Sequence, residues 1–177
     1  MADETHELAV TAVGADRPGI VAGVAEVLHD LGGNVEDSAM TILGGHFAIV
    51  LLIASPVDAD RLHEALAPVA GELGLTISVS EADSERAATE ATHLLSVYGA
   101  DKPGILAAVT RALADQGANI TDLETRVLGH GDEPVYAMVV EVVVGEAGEA
   151  ALAAAIEEAC EVLGVDHTLR TIEAETY

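Results

Sequence analysis

The chain has 177 residues, half of them hydrophobic, and its 31 Asp and Glu residues against 7 Lys and Arg give a formal net charge of −24. Affinity for nucleic acid depends on neutralising phosphates with Lys and Arg, so a chain this acidic, with no basic run, is excluded as a direct DNA or RNA binder at physiological salt. The single cysteine excludes an internal disulfide, and no signal peptide or membrane-spanning run is apparent. These features predict a cytoplasmic globular protein whose acidic surface is either simply solvated or docks a basic partner.

The first half of the chain alternates strand and helix patterns. A strand is predicted from Leu8 to Val13, followed by a helix whose apolar face runs from Ile20 to Leu31, with Asp16 placed to cap its first turn. The remaining elements, in chain order, are a hairpin of residues 34–43 and 46–54, a helix over 58–73 that Pro68 should bend or shorten, and a strand over 76–80.

The second half repeats the first. The sequence Gly14-Ala15-Asp16-Arg17-Pro18-Gly19-Ile20 returns 85 residues later as Gly99-Ala100-Asp101-Lys102-Pro103-Gly104-Ile105, and residues 14–44 and 99–129 share 15 identical positions of 31. The predicted elements of this half are a strand over 93–98, a helix over 103–116, a hairpin of 119–128 and 135–144, a helix over 146–163 and a strand over 165–172.

This repeated order, βαββαβ, predicts an α+β fold of two ferredoxin-like units. Each unit has a four-stranded antiparallel sheet with two helices on one face. The units are predicted over residues 1–81 and 93–177, joined by a linker over 82–92 that is rich in Ala, Glu, Ser and Thr.

One strand of each unit is unusually apolar. Every residue from Phe47 to Ala54 is apolar, and residues 135–144 repeat the pattern with a single charge. Strands of a sheet with one solvated face should alternate apolar and polar residues. We therefore expect the second face of these strands to be covered, by pairing of the two units or by a second chain. The alternative is that they are central strands with exposed valines. The chain is therefore predicted to form a homo-oligomer.

The repeated loop joins a predicted strand to a helix N-terminus, where unpaired backbone N–H groups can bind a small anionic group. It lacks the length and the Lys-Ser/Thr pair of a P-loop, and its aspartate would repel phosphate. A zwitterion fits better, with its carboxylate on the amides and its ammonium on Asp16 or Asp101, joined by Asn34 or Asn119 from the start of the next strand. The alternative is that these residues serve only as cap, helix start and turns.

At these residues the chain resembles the ACT domain family, whose signature is Asp-x-Pro-Gly-Ile/Leu opening a helix and Gly-x-Asn-Ile/Val opening the second strand. Both halves match, the second with Gly117-Ala118-Asn119-Ile120. ACT domains are regulatory modules that commonly bind amino acids between paired domains, using the strand-helix loop and the start of the second strand. The resemblance implies eight ligand-binding candidates: Gly14, Asp16, Gly19, Asn34, Gly99, Asp101, Gly104 and Asn119.

Two such units without an attached enzyme are similar to the glycine cleavage system transcriptional repressor family, as seen in residues 16–22 and 43–48. The first motif also resembles the N-terminal module of formyltetrahydrofolate deformylases, but the chain has no room for their catalytic domain. The resemblance implies a non-enzymatic regulator without a cofactor that senses a small amino acid and acts on a protein partner. The partner would be a transcription factor or an enzyme, and the chain itself would contact neither nucleic acid nor membrane directly.

Two other functions stay open at this stage. The chain could be a regulatory subunit that binds and tunes an enzyme of amino acid metabolism, or a structural interaction module whose pockets are empty. Enzymatic readings are disfavoured, because the seven histidines form no close ligand pair and Cys160 has no histidine near it in sequence.

Overall fold

A computed structural model describes residues 5–82, 89–129 and 134–172. The chain forms two compact units, Met1–Ala87 and Ala88–Tyr177, and residues 83–88 of the predicted linker lie outside the described ranges. The elements of unit 1 are β1 (His6–Ala15), α1 (Ile20–Asp30), β2 (Asn34–Leu43), β3 (His46–Ser55), α2 (Ala59–Leu73) and β4 (Leu75–Glu81). Those of unit 2 are β5 (His93–Ala100), α3 (Ile105–Asp115), β6 (Asn119–Leu128), β7 (Val135–Val143), α4 (Glu149–Leu163) and β8 (Asp166–Thr171).

Each unit contains one four-stranded sheet, with the strand order β2-β3-β1-β4 in unit 1 and β6-β7-β5-β8 in unit 2. All neighbouring strands are antiparallel, and the central strands are the first and third of each unit. This arrangement confirms the predicted α+β fold of two ferredoxin-like units. It also places the end of β1 beside the hairpin that joins β2 to β3, since Ala15 is paired with His46.

The core of each unit lies between one face of its sheet and its two helices. In unit 1, Leu8 and Val10 of β1 are fully buried against a cluster that includes Val24 of α1 and Leu66 of α2. Unit 2 repeats this packing with aliphatic side chains of its own two helices. Because large aromatic residues are nearly absent, each core depends on many branched aliphatic contacts.

Two helix starts differ from the predicted ones, and α2 ends at Leu73 as predicted. Pro68 lies inside α2 and does not shorten it: Asp58 caps the helix by accepting a 2.9 Å hydrogen bond from the Arg61 amide, and buried leucines hold it to the core. The helices α3 and α4 begin later than predicted, because a glycine with positive φ, Gly104 or Gly148, directly precedes each.

The apolar strand β3 does not have both faces buried by the elements of its own unit. Its alternate residues Val50 and Leu52 are 45% and 41% exposed, and in unit 2 Val139 of β7 is 41% exposed. The physical reason is that both helices of a unit cover the same face of the sheet, so every second side chain points away from them. Covering of this open face, by pairing of the two units or by a second chain, stays a prediction.

Among the residues that the structure describes, no helix is both long and apolar enough to cross a membrane.

Candidate functional site

The repeated loops, residues 14–19 (loop 1) and 99–104 (loop 2), connect the first strand of each unit to its first helix. Each loop is attached to the neighbouring hairpin, because the Asp16 amide donates to the Gly45 carbonyl at 2.9 Å and the Asp101 amide donates to the Pro134 carbonyl at 3.1 Å. Both aspartate side chains lie at the surface. The loops therefore hold a carboxylate in a fixed backbone position just before a helix N-terminus.

The N-cap residue of each first helix is a glycine and not the predicted aspartate. Gly19 and Gly104 have φ of 95° and 96°, a conformation that favours glycine, and no side chain of the described residues makes a capping hydrogen bond there. The expectation that Asp16 caps the helix is therefore wrong. Because the cap is a glycine, the first amides of α1 and α3 have no side-chain acceptor, which suits binding of a carboxylate.

Gly14 and Gly99 are explained by close packing against the turn that follows the second helix of each unit. We call this turn the junction; it is Gly74–Leu75 in unit 1 and Gly164–Val165 in unit 2. A Cβ atom on Gly14 would lie 2.9 Å from the Gly74 carbonyl oxygen, and one on Gly99 would lie 2.8 Å from Cγ1 of Val165. These two glycines therefore let the start of each loop approach the junction.

Alanine at Gly14 is expected to destabilise the protein by about 1–3 kcal/mol, because its methyl group would overlap the backbone of the junction. The matched control is Gly71→Ala in the interior of α2, where a Cβ would meet nothing within 4 Å. This change should stabilise the protein by about 0.5–1 kcal/mol, as alanine usually does in a helix. Urea unfolding of both variants measures the difference, and equal stability of Gly14→Ala and the parent would contradict the packing explanation.

Asn34 and Asn119 lie at the opposite end of their units from the loops. On β3, Gly14 is paired with Phe47 and Asn34 with Ala54, seven residues further along, which corresponds to about 23 Å of strand. The separation arises because β1 and β2 run in the same direction, with α1 returning the chain to the starting end. Hence the loop aspartate and the asparagine of one unit cannot contact the same small molecule, and the expectation that they do so is not met within a unit.

An apolar groove adjoins loop 1 and was not predicted. It lies between α1 and the edge strand β2, has a volume of about 260 Å³, and is lined by residues that include Val21, Met40 and Ile49. Phe47 does not line this groove; in unit 2 Tyr136 takes the position of Phe47, and burial raises the pKa of its phenol, whose hydroxyl donates to the Met138 Sδ at 3.9 Å. Sequence periodicity could not find this groove, because it depends on how the helix sits over the sheet edge.

Two further observations concern metal ligands and the cysteine thiol in the described part of the chain. No group of three His, Cys, Asp or Glu side chains within it could hold a metal ion. The Cys160 thiol is buried in the core of unit 2, and this burial raises its pKa, which disfavours the reactive thiolate.

Comparisons with known proteins agree with this architecture. The family model of the ACT domain matches twice, over residues 6–80 and 93–161. The glycine cleavage system transcriptional repressor of Escherichia coli is 33% identical over 123 residues, which cover 68% of this chain and 65% of that protein. A UPF0237 protein of Methanopyrus kandleri is 42% identical over 81 residues, covering 44% of this chain and 90% of that protein.

Among solved structures, the crystal structure of an unknown protein from Galdieria sulphuraria is similar with a TM-score of 0.84 and 32% sequence identity. The similarity covers 96% of this chain and 100% of that chain.

Proposed function

We propose that this chain, which belongs to the ACT domain family, senses a small amino acid and passes its bound state to a protein partner that regulates transcription. The observation that carries the proposal is the doubled loop. In both units it presents an exposed aspartate carboxylate beside a helix N-terminus that is capped only by glycine. A zwitterion needs this pair of groups, a carboxylate for its ammonium and free amides for its own carboxylate.

Asn34 would join a site at loop 1 only from a neighbouring copy of the chain, and the same holds for Asn119 and loop 2. Because Asn34 lies at the far end of its own unit, it can contact a ligand of loop 1 only from a second molecule. Amino acid binding and self-association are therefore coupled in this proposal. Saturating ligand should favour the oligomer, since ligand that binds only the associated form stabilises it.

The role in transcription is supported by similarity to the Escherichia coli protein named as the glycine cleavage system transcriptional repressor. A protein partner, and not DNA, is proposed as the direct target, because the net charge of −24 opposes contact with phosphates. The partner is expected to be a transcription factor with a basic docking surface.

Calorimetric titration with glycine, alanine and serine, followed by purification of partners from the native cell with and without the best ligand, tests the proposal. We expect saturable binding of one of them and ligand-dependent recovery of a transcription factor. If the folded protein binds none of the amino acids, the sensing function is wrong; if the ligand-dependent partner is a metabolic enzyme, the transcriptional role is wrong.

The pure protein is expected not to bind DNA, even at low salt. Proteins that bind DNA through Lys and Arg gain affinity as the salt concentration falls, whereas this chain should be repelled more strongly. Mobility shifts at about 20 and 150 mM salt, with a basic DNA-binding domain as the positive control, measure this. Sequence-specific retention of DNA by the pure protein would contradict the prediction.

A further inference from the structure

The residue between Asp and Pro in each loop signature, Arg17 or Lys102, is basic and lies beside the turn that ends the second helix of its unit. In unit 2, the Lys102 Nζ donates to the carbonyl oxygen of Leu163, the last residue of α4, at 3.1 Å. It also lies 3.6 Å from where a Cβ on Gly164 would stand. In unit 1, the Arg17 Nη2 lies at the same 3.6 Å from the equivalent point on Gly74, so the two units repeat the placement.

The C-terminal ends of α2 and α4 have no basic residue of their own. The last carbonyls of a helix carry partial negative charge and have no intrahelical donor, so a nearby Lys or Arg stabilises them. In a chain with only 7 Lys and Arg residues, two of them occupy equivalent positions that supply this charge from the loop.

Each junction also packs against the glycine at the start of its loop, Gly14 or Gly99. Gly14 and Gly99 have no space for a Cβ on the side that faces the junction. In the described ranges, the ion pairs do not include Arg17 or Lys102, so these cations do not neutralise the loop aspartates. Each loop thus packs closely against the junction through its first glycine and places a cation beside it, and in unit 2 this cation is hydrogen-bonded to the helix end.

We propose that Arg17 and Lys102 are positioning residues that clamp the two loops to the C-terminal ends of α2 and α4. Because of this clamp, the loop and the helix end move together. A conformational change of the loop is therefore transmitted to the junction and to the strand that follows it. The role of the clamp in sensing rests on the proposed function, because it assumes that the amino acid binds at the loop. The clamp itself is a property of the ligand-free protein.

Amide hydrogen exchange in the ligand-free protein, measured by NMR, tests the clamp directly. Lys102→Met should accelerate exchange about two- to fivefold both at the amides of loop 2 and at Gly164 and Val165, as expected for losing a cation at a helix end. Lys102→Arg, which keeps the charge, should restore the parent rates. The matched control is Arg111→Met, which removes an exposed cation on α3 that pairs with Asp115 at 3.6 Å, and it should leave these amides unchanged.

Three results would overturn the inference. The first is parent-like exchange at both places in Lys102→Met, and the second is acceleration at the helix end alone, which would make Lys102 a helix cap without a hold on the loop. The third is failure of Lys102→Arg to restore the rates. Glycine titration of the same variants separates this inference from the proposed function: if the parent binds no amino acid, the sensing function fails while the exchange rates still decide the clamp.

Discussion

Replacing Asp16 and Asp101 together by alanine is expected to weaken amino acid binding at least about tenfold, or 1.4 kcal/mol. These are the carboxylates that the two loops place beside an open helix N-terminus, so they are the groups available to an ammonium. Calorimetry with the best-binding amino acid measures the loss. Substitution by asparagine, which keeps the size but removes the charge, should weaken binding to a similar extent.

The structure supplies a clean control for this experiment. Because neither loop aspartate caps its helix, the double alanine variant should unfold at nearly the same urea concentration as the parent. Asp58 is a genuine cap, accepting a 2.9 Å hydrogen bond from the Arg61 amide, so Asp58→Ala should cost about 1 kcal/mol of stability and leave binding intact. A double loop variant that folds and binds like the parent would place the ligand elsewhere.

Glutamate at Val50 or Leu52 is expected to weaken self-association about a hundredfold or more, because burial of an unpaired carboxylate in an interface costs several kcal/mol. Both side chains lie on the open face of the unit 1 sheet, where Val50 is paired with Thr11 and Ala39, and Leu52 with Ala9 and Asp37. Chains with a net charge of −24 repel each other, so association favours surfaces of low charge, and Asp37 is the one carboxylate among these four strand partners. Light scattering and sedimentation over a range of protein concentration measure the effect.

The control variant is Val162→Glu, which introduces the same charge at an exposed valine of α4 away from the sheet. It should leave the oligomer unchanged, and far-ultraviolet circular dichroism should show native folding for all three variants. A parent protein that is monomeric at all concentrations, or an oligomer unaffected by both sheet variants, would contradict the predicted use of this face. A parent protein that is monomeric would also remove the support for completion of the binding site by Asn34 of a second copy.

The sequence by itself determined the number of units, the order of their elements and the position of the loops. The number of units follows from the 85-residue repeat. The elements follow from local signals, such as the helical spacing of Val24 and Leu28 and the Gly44–Gly45 turn. Each signal lies within one element or one turn, so the backbone conformation that it favours depends little on the rest of the molecule.

The tertiary structure decided what the residues of the loops do. The direction of β2 in the sheet places Asn34 far from the loop of its own unit. Likewise, Lys102 contacts Leu163 across 61 residues, and Gly14 is needed because the junction packs against it. The physical reason is the same in each case: contacts between distant segments depend on how strands pair and helices pack, and no spacing along the chain records them.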